Sequence, residues 1–196
     1  MKNKDFFIND PDDNNEIDYA YLNFRLDGYD KGQQFIEMSK GYLDTAKILL
    51  TSLAHDNINK RADIEIFPTL FLLNHGLELL IKSLFFYSNL TMIKTHNLKS
   101  LIDSLIKEKP NFTNYLKHVK SYINILNKYK IFSISKNLDI TRYSHNSNDK
   151  PFPYAQSFIQ NNFKISISIL LEHVDKIHDD FYELYDLLDE RPNFFK

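Results

Sequence analysis

Three groups of residues have the types and spacing that acid–base or phosphate chemistry requires. Asn74, Glu78 and Lys82 stand four apart in an otherwise apolar stretch, with His75 beside them. On a helix these positions form one stripe, and Glu78 before Lys82 is the favourable order for an i,i+4 pair. A charge inside an apolar segment persists only when paired. The stripe is therefore either a structural ion pair or a polar constellation facing a groove or a dimer interface. The second group is Thr141-Arg-Tyr-Ser-His-Asn, where Arg142 is one of only four arginines and His145 follows three residues on. Such a pair can clamp a phosphate and transfer a proton, or it can be a loop arginine on a carboxylate beside a surface histidine. The third group is basic. Residues 94–136 hold nine lysines against Asp103 and Glu108, and Lys117, Lys120 and Lys128 lie with Asn124 along one stripe. That strip can track a phosphate backbone. It can equally be a solvated face partly neutralised by the acidic ends of the same fold or of a partner subunit.

Other chemistries find no support. The chain has no Cys, which removes disulfides, thiolate zinc sites and Cys nucleophiles. His173 and His178 are five apart and fall on different helix faces, unlike the i,i+4 histidines of zinc helices. Asp175 and Asp179 share a face, as solvated acidic helix faces do. Only four glycines occur, with no nucleophile elbow, phosphate loop or dinucleotide fingerprint. No metal and no cofactor is expected.

The elements that must position these groups are helices. Phe35, Met38, Tyr42, Ala46, Leu49 and Leu53 recur at spacings of three and four and predict a helix over 31–55, with Asp30 as N-cap. A second helix is predicted over 67–87, apolar almost all round, with Pro68 in its first turn. Gly76 in its middle costs roughly 1 kcal/mol relative to Ala, and the usual compensation is a closely approaching neighbour. Thr95 can cap a short helix over 96–109, which Pro110 ends. A fourth helix is read over 112–129, on Leu116, Val119, Ile123 and Leu126. Residues 131–157 form a long loop of the length that is usually functional or disordered. The last helix spans about 160–189, because Phe163, Ile167, Leu170, Val174, Ile177, Phe181, Leu184 and Leu188 outweigh the alternation of Ile165, Ile167 and Ile169. The expectation is an all-α antiparallel bundle of four main helices plus a short one. An acidic, aromatic-containing arm over 1–29 precedes a helical domain over 30–190, and a tail over 191–196 follows.

The run Phe71-Leu-Leu-Asn-His-Gly-Leu-Glu-Leu-Leu-Ile-Lys-Ser-Leu-Phe, followed by Thr95-His-Asn-Leu-Lys-Ser-Leu, resembles the HEPN superfamily. In these all-helical domains a helix reading H-x-x-E-L-x-x-K is often followed by a short H-[ND]-L helix. Arg142-Tyr-Ser-His145 is similar to the R-Y segment of prokaryotic HEPN-like proteins, and Gly41, Tyr42 and Ala46 suit the first helix. The resemblance covers roughly residues 33–188. It implies a domain that dimerises or joins a cognate protein partner in nucleic-acid-linked prokaryotic defence or regulation, such as phage defence or toxin–antitoxin pairs, with RNA as a possible ligand. The family's catalytic motif places four to six residues between Arg and His, whereas two separate Arg142 from His145. The implied function is thus a catalytically degenerate binding module. The alternative is a metal-independent endoribonuclease, in which Arg142 stabilises the phosphorane and His145 moves protons. Asn74, His75, Glu78, Lys82 and His96 would then form the supporting cluster.

Size and charge set the frame. The chain has 196 residues, a single-domain length, and a formal net charge of -2. Whole-chain charge excludes a uniformly basic nucleic-acid binder and leaves room for a local patch. The near-neutrality is a cancellation, since residues 1–30 and 171–191 are both strongly acidic. The N-terminus lacks the apolar core of a signal peptide, and the apolar run 64–86 is interrupted by charges. A cytoplasmic location away from membranes is the expectation.

Overall fold

The computed structural model describes residues 30–128 and 164–190. These residues form helices α1 (Lys31–His55), α2 (Ala62–Tyr87), α3 (Leu98–Glu108), α4 (Phe112–Tyr115), α5 (Lys117–Lys128) and α6 (Ile167–Glu190), with no strand among them. The expected arm 1–29, the long loop 131–157, the first residues of the predicted last helix and the tail 191–196 lie outside the described residues.

α1 has the predicted limits, and its cap is the predicted one: the Asp30 carboxylate accepts from the Gln33 amide at 2.9 Å. α1 and α2 make the most extensive helix pairing of the fold. Gly76 explains how they come so close. A methyl group there would stand 2.9 Å from Leu43 Cδ2 and 3.2 Å from Tyr42 Cβ. The Ser39 hydroxyl also donates to the Gly76 carbonyl at 2.8 Å, tying the two backbones at the same level. The missing side chain costs α2 some helix propensity and gives α1 its seat.

α2 begins five residues earlier than predicted. Pro68 therefore sits in the second turn rather than the first, and the Ile64 carbonyl loses its helical donor. Ile64 itself is 77% exposed. The start is fixed from outside the helix. Asn57 accepts from the Ala62 amide at 2.8 Å, and Asp63 and Glu65 place negative charge in the first turn. The tight reversal before it puts Asn59 and Lys60 in the left-handed region, with φ of 56 and 57. By length and composition α2 could cross a membrane, but 56% of its most apolar window is buried within the bundle.

Three further boundaries differ, the first being α6, which starts at Ile167 with residues 164–166 outside the helix and the Ser166 hydroxyl accepting from the Ile169 amide at 3.4 Å. α3 starts at Leu98, because Asn97 caps it by accepting from the Ser100 amide at 2.9 Å, while Thr95 accepts from Asn97 one step earlier. The predicted fourth helix is two helices. The backbone breaks at Leu116 (φ -110, ψ 15), which leaves the four-residue α4 and the longer α5. The apolar stripe survives the break: Leu116, Val119, Ile123 and Leu126 are all buried. The core runs through all the main helices, from Leu50, Leu77, Leu80 and Phe85 to Leu101, Phe112, Phe181 and Leu184. The architecture is all-helical.

Candidate functional site

α2 carries the first predicted group, and the structure divides it. Lys82 donates to Glu78 Oε1 at 2.6 Å, and both side chains are nearly buried. The Nδ1 of His96 lies 2.9 Å from the same oxygen, contributed by the stretch that leads into α3. Glu78 thus holds a buried ammonium on one side and an imidazole on the other, with the His96 side chain 66% exposed. Asn74 belongs elsewhere. Its amide donates back to the Leu70 carbonyl at 2.6 Å, and its oxygen accepts from the Tyr122 hydroxyl at 3.3 Å. Burial pushes the Tyr122 phenol well above its usual pKa. His75 lies between aromatic rings, edge-on to Tyr42 at 4.7 Å and stacked on Phe71 at 5.7 Å between centroids. The expected five-residue cluster therefore separates into a polar triad of Glu78, Lys82 and His96, a structural amide at Asn74 and an aromatic contact at His75. Arg142 and His145 lie outside the described residues.

The basic stripe is present as a surface. Lys117, Lys120, Ser121, Asn124, Ile125 and Lys128 line an open groove of about 420 Å³ along α5. The geometry follows from the helix itself. Leu116, Val119, Ile123 and Leu126 turn one face into the core, so the residues between them turn out. Three ammonium groups on one face, interleaved with a hydroxyl and an amide, form a surface of positive potential with neutral hydrogen-bonding groups between the charges.

The groove borders a polar contact that sequence reasoning missed. Asp180 of α6 is 6% exposed. One of its oxygens lies 2.8 Å from His118 Nδ1, and the other lies 3.8 Å from Lys117 Nζ. A second contact of the same kind joins α6 to α1. Asp44 meets His178 Nε2 at 2.8 Å and accepts from the Tyr182 hydroxyl at 3.1 Å, while Tyr185 donates to Glu37. Burial, with the Asp44 carboxylate next in weight, pushes the Tyr182 phenol up to about 12. Lys47 and Asp175 close the seam at 3.0 Å, which gives Asp175 a structural partner. Histidine–aspartate pairs 62 and 134 residues apart have no local signature in the sequence.

No family model matches the chain, and no curated protein or solved structure matches it.

Proposed function

We propose that this chain is a HEPN-like helical module that binds the phosphate backbone of RNA along α5, as a dimer or with a cognate protein partner, in nucleic-acid-linked prokaryotic defence or regulation. The observation that supports it is the groove lined by Lys117, Lys120 and Lys128. Its cations lie along one helix face about 16 Å long, from the rise of about 1.5 Å per residue. Lysine ammonium groups bind phosphate as point charges with no demand on base identity, so such a groove grips a backbone and does not read a sequence. Lysines that hold phosphate need transfer no proton, so binding by this groove requires no catalysis. An antiparallel four-helix arrangement of HEPN type belongs to the same proposal.

Fluorescence anisotropy of a labelled single-stranded RNA tests it. Wild type binds, and log Kd rises with log salt. Each phosphate contact contributes about 0.7 to the slope, so a Lys117→Ala/Lys120→Ala/Lys128→Ala variant loses about 2 from it along with most of the affinity. Unchanged binding by the triple variant overturns the reading.

A second reading is the metal-independent endoribonuclease with Arg142 and His145. One observation favours acid–base chemistry on this chain: His96 is exposed, and its Nδ1 is fixed by Glu78, which leaves Nε2 toward solvent. Cleavage of labelled RNA in EDTA by wild type, abolished in Arg142→Ala and His145→Ala, is the outcome it requires. Equal cleavage by all three, or none by wild type, removes it.

A further inference from the structure

Two exposed helix faces of this chain are complementary to each other. The first is the α5 groove, positive at Lys117 and Lys120, with the apolar side chain of Ile125 exposed between its cations. The second is the outward face of α6 with the residues just before it. Ile165 and Ile169 are 48% and 57% exposed there. Glu172, Asp179, Glu183 and Asp186 continue the same face, all exposed, at spacings of seven, four and three that keep them in one row. Lys176 is the one cation in that row, so four carboxylates leave the face negative. An apolar end followed by a carboxylate row matches the order Ile125, Lys120, Lys117 along the groove.

The register can be written down. With the helices antiparallel and Ile125 against Ile169, Lys120 lies five residues along α5 from the apolar contact, and Glu172 lies three along α6. Lys117 lies eight along, and Asp179 ten. Each mismatch is two residues, about 3 Å at 1.5 Å per residue, which a lysine side chain spans. The same alignment buries Ile125 and Ile169, two isoleucine side chains that water now reaches. Isoleucine contact supplies non-directional affinity, and the charges select the register and steer the approach.

We infer that the α6 face of a second copy of this chain occupies the α5 groove and excludes nucleic acid from it, so that self-association regulates the binding site. The inference rests on the RNA-binding reading for what is excluded, but not for the contact itself. A carboxylate row on a rigid helix imitates the regular negative charge of a phosphate backbone. RNA and the second copy then compete for Lys117 and Lys120. The face of one copy meets the groove of another, so the two halves of the contact can be removed separately.

Sedimentation velocity of the purified full chain tests this. At low salt wild type associates. At 1 M salt, where the screening length falls to about 3 Å, it sediments as a monomer. Lys117→Ala/Lys120→Ala and Glu172→Gln/Asp179→Asn each weaken association by roughly tenfold or more. All four positions are on the surface, and circular dichroism checks that each variant remains helical. The decisive sample is a mixture of the two variants. One retains a complete α6 face and the other a complete groove, so the mixture forms a one-to-one complex that neither forms alone. A monomeric wild type at low salt overturns the inference, as does association that survives both variants. A single-stranded RNA displaces the second copy's α6 face from the groove and binds in its place. RNA that binds while assembly persists overturns the exclusion and leaves the RNA reading intact. Assembly that obeys the variant pattern in a chain that binds no RNA supports the contact and removes the RNA reading alone.

Discussion

The two seams of α1 are built on different principles. Toward α2 it packs Leu43 and Tyr42 against Gly76, tight enough that one methyl group would not fit, in a core that also holds Ala46, Leu50, Leu73 and Leu77. Toward α6 it presents Glu37, Asp44 and Lys47 to Tyr185, His178, Tyr182 and Asp175. Apolar close packing tolerates no shift, because every displacement opens a void or a clash. A polar seam tolerates small shifts, because water can replace a lost partner at its edge. The bundle therefore has one seam that can open before the other. α1 and α2 form the unit that stays shut, and the edge of α6 that faces Glu37, Asp44 and Lys47 is fastened by replaceable bonds, while Val174, Ile177, Phe181 and Leu184 anchor its inner face.

That contrast is exposed to measurement, starting with the largest effect. Leu77→Ala removes a fully buried side chain from the tight seam, and should cost about 4 kcal/mol of unfolding free energy in denaturant titration. A loss below about 1 kcal/mol would mean the seam relaxes, and the contrast would fail. Glu78→Ala strands the Lys82 ammonium at a nearly buried site and should cost about 3 kcal/mol. The double variant Glu78→Met/Lys82→Met should recover most of that loss. If it recovers none, His96 and not Lys82 is the partner that matters.

Asp44→Asn weakens the bonds to His178 and Tyr182 together, and should cost about 2 kcal/mol. Its signature is local: hydrogen exchange accelerates in α6 before it changes in α2. Uniform acceleration across both helices would show that the seams open as one. The smallest effect is a pH dependence. The folded chain holds the Tyr182 proton up to about pH 12, whereas an unfolded tyrosine releases it near about 10. Between those values unfolding releases a proton, so stability falls as pH rises through that window; below it the contribution is fully present and stability does not vary with pH through this group. Tyr122 adds to the same fall from its buried position. Tyr182→Phe should remove part of the slope in alkaline thermal melts, and an unchanged slope would assign it all to Tyr122.

The readable features were those whose cause is local. The limits of α1, its Asp30 cap, the close approach at Gly76 and the Glu78–Lys82 pair all follow from residues within one or two turns of each other. The lysine stripe was readable for the same reason, since the buried positions of α5 repeat at helical spacing. The start of α2 was misread because Asn57 caps it from beyond the preceding turn, and because a proline in a second turn looks like one in a first. No residue type marks the break at Leu116. The pairs Asp180–His118 and Asp44–His178 were invisible because the fold, not the spacing, makes them neighbours. His96 entered the polar cluster only through a resemblance, and its bond to Glu78 spans 18 residues.

The brevity of α5 has a thermodynamic consequence. It has twelve residues, and helices of that length are marginal when alone in water. Its three lysines repel one another, so their alignment is held by the anchoring of Val119, Ile123 and Leu126 in the core. The groove is a property of the whole bundle and has no counterpart in the unfolded chain. Any anion that fills it draws on the same reservoir of free energy that keeps the chain folded, and returns that energy as a higher melting temperature.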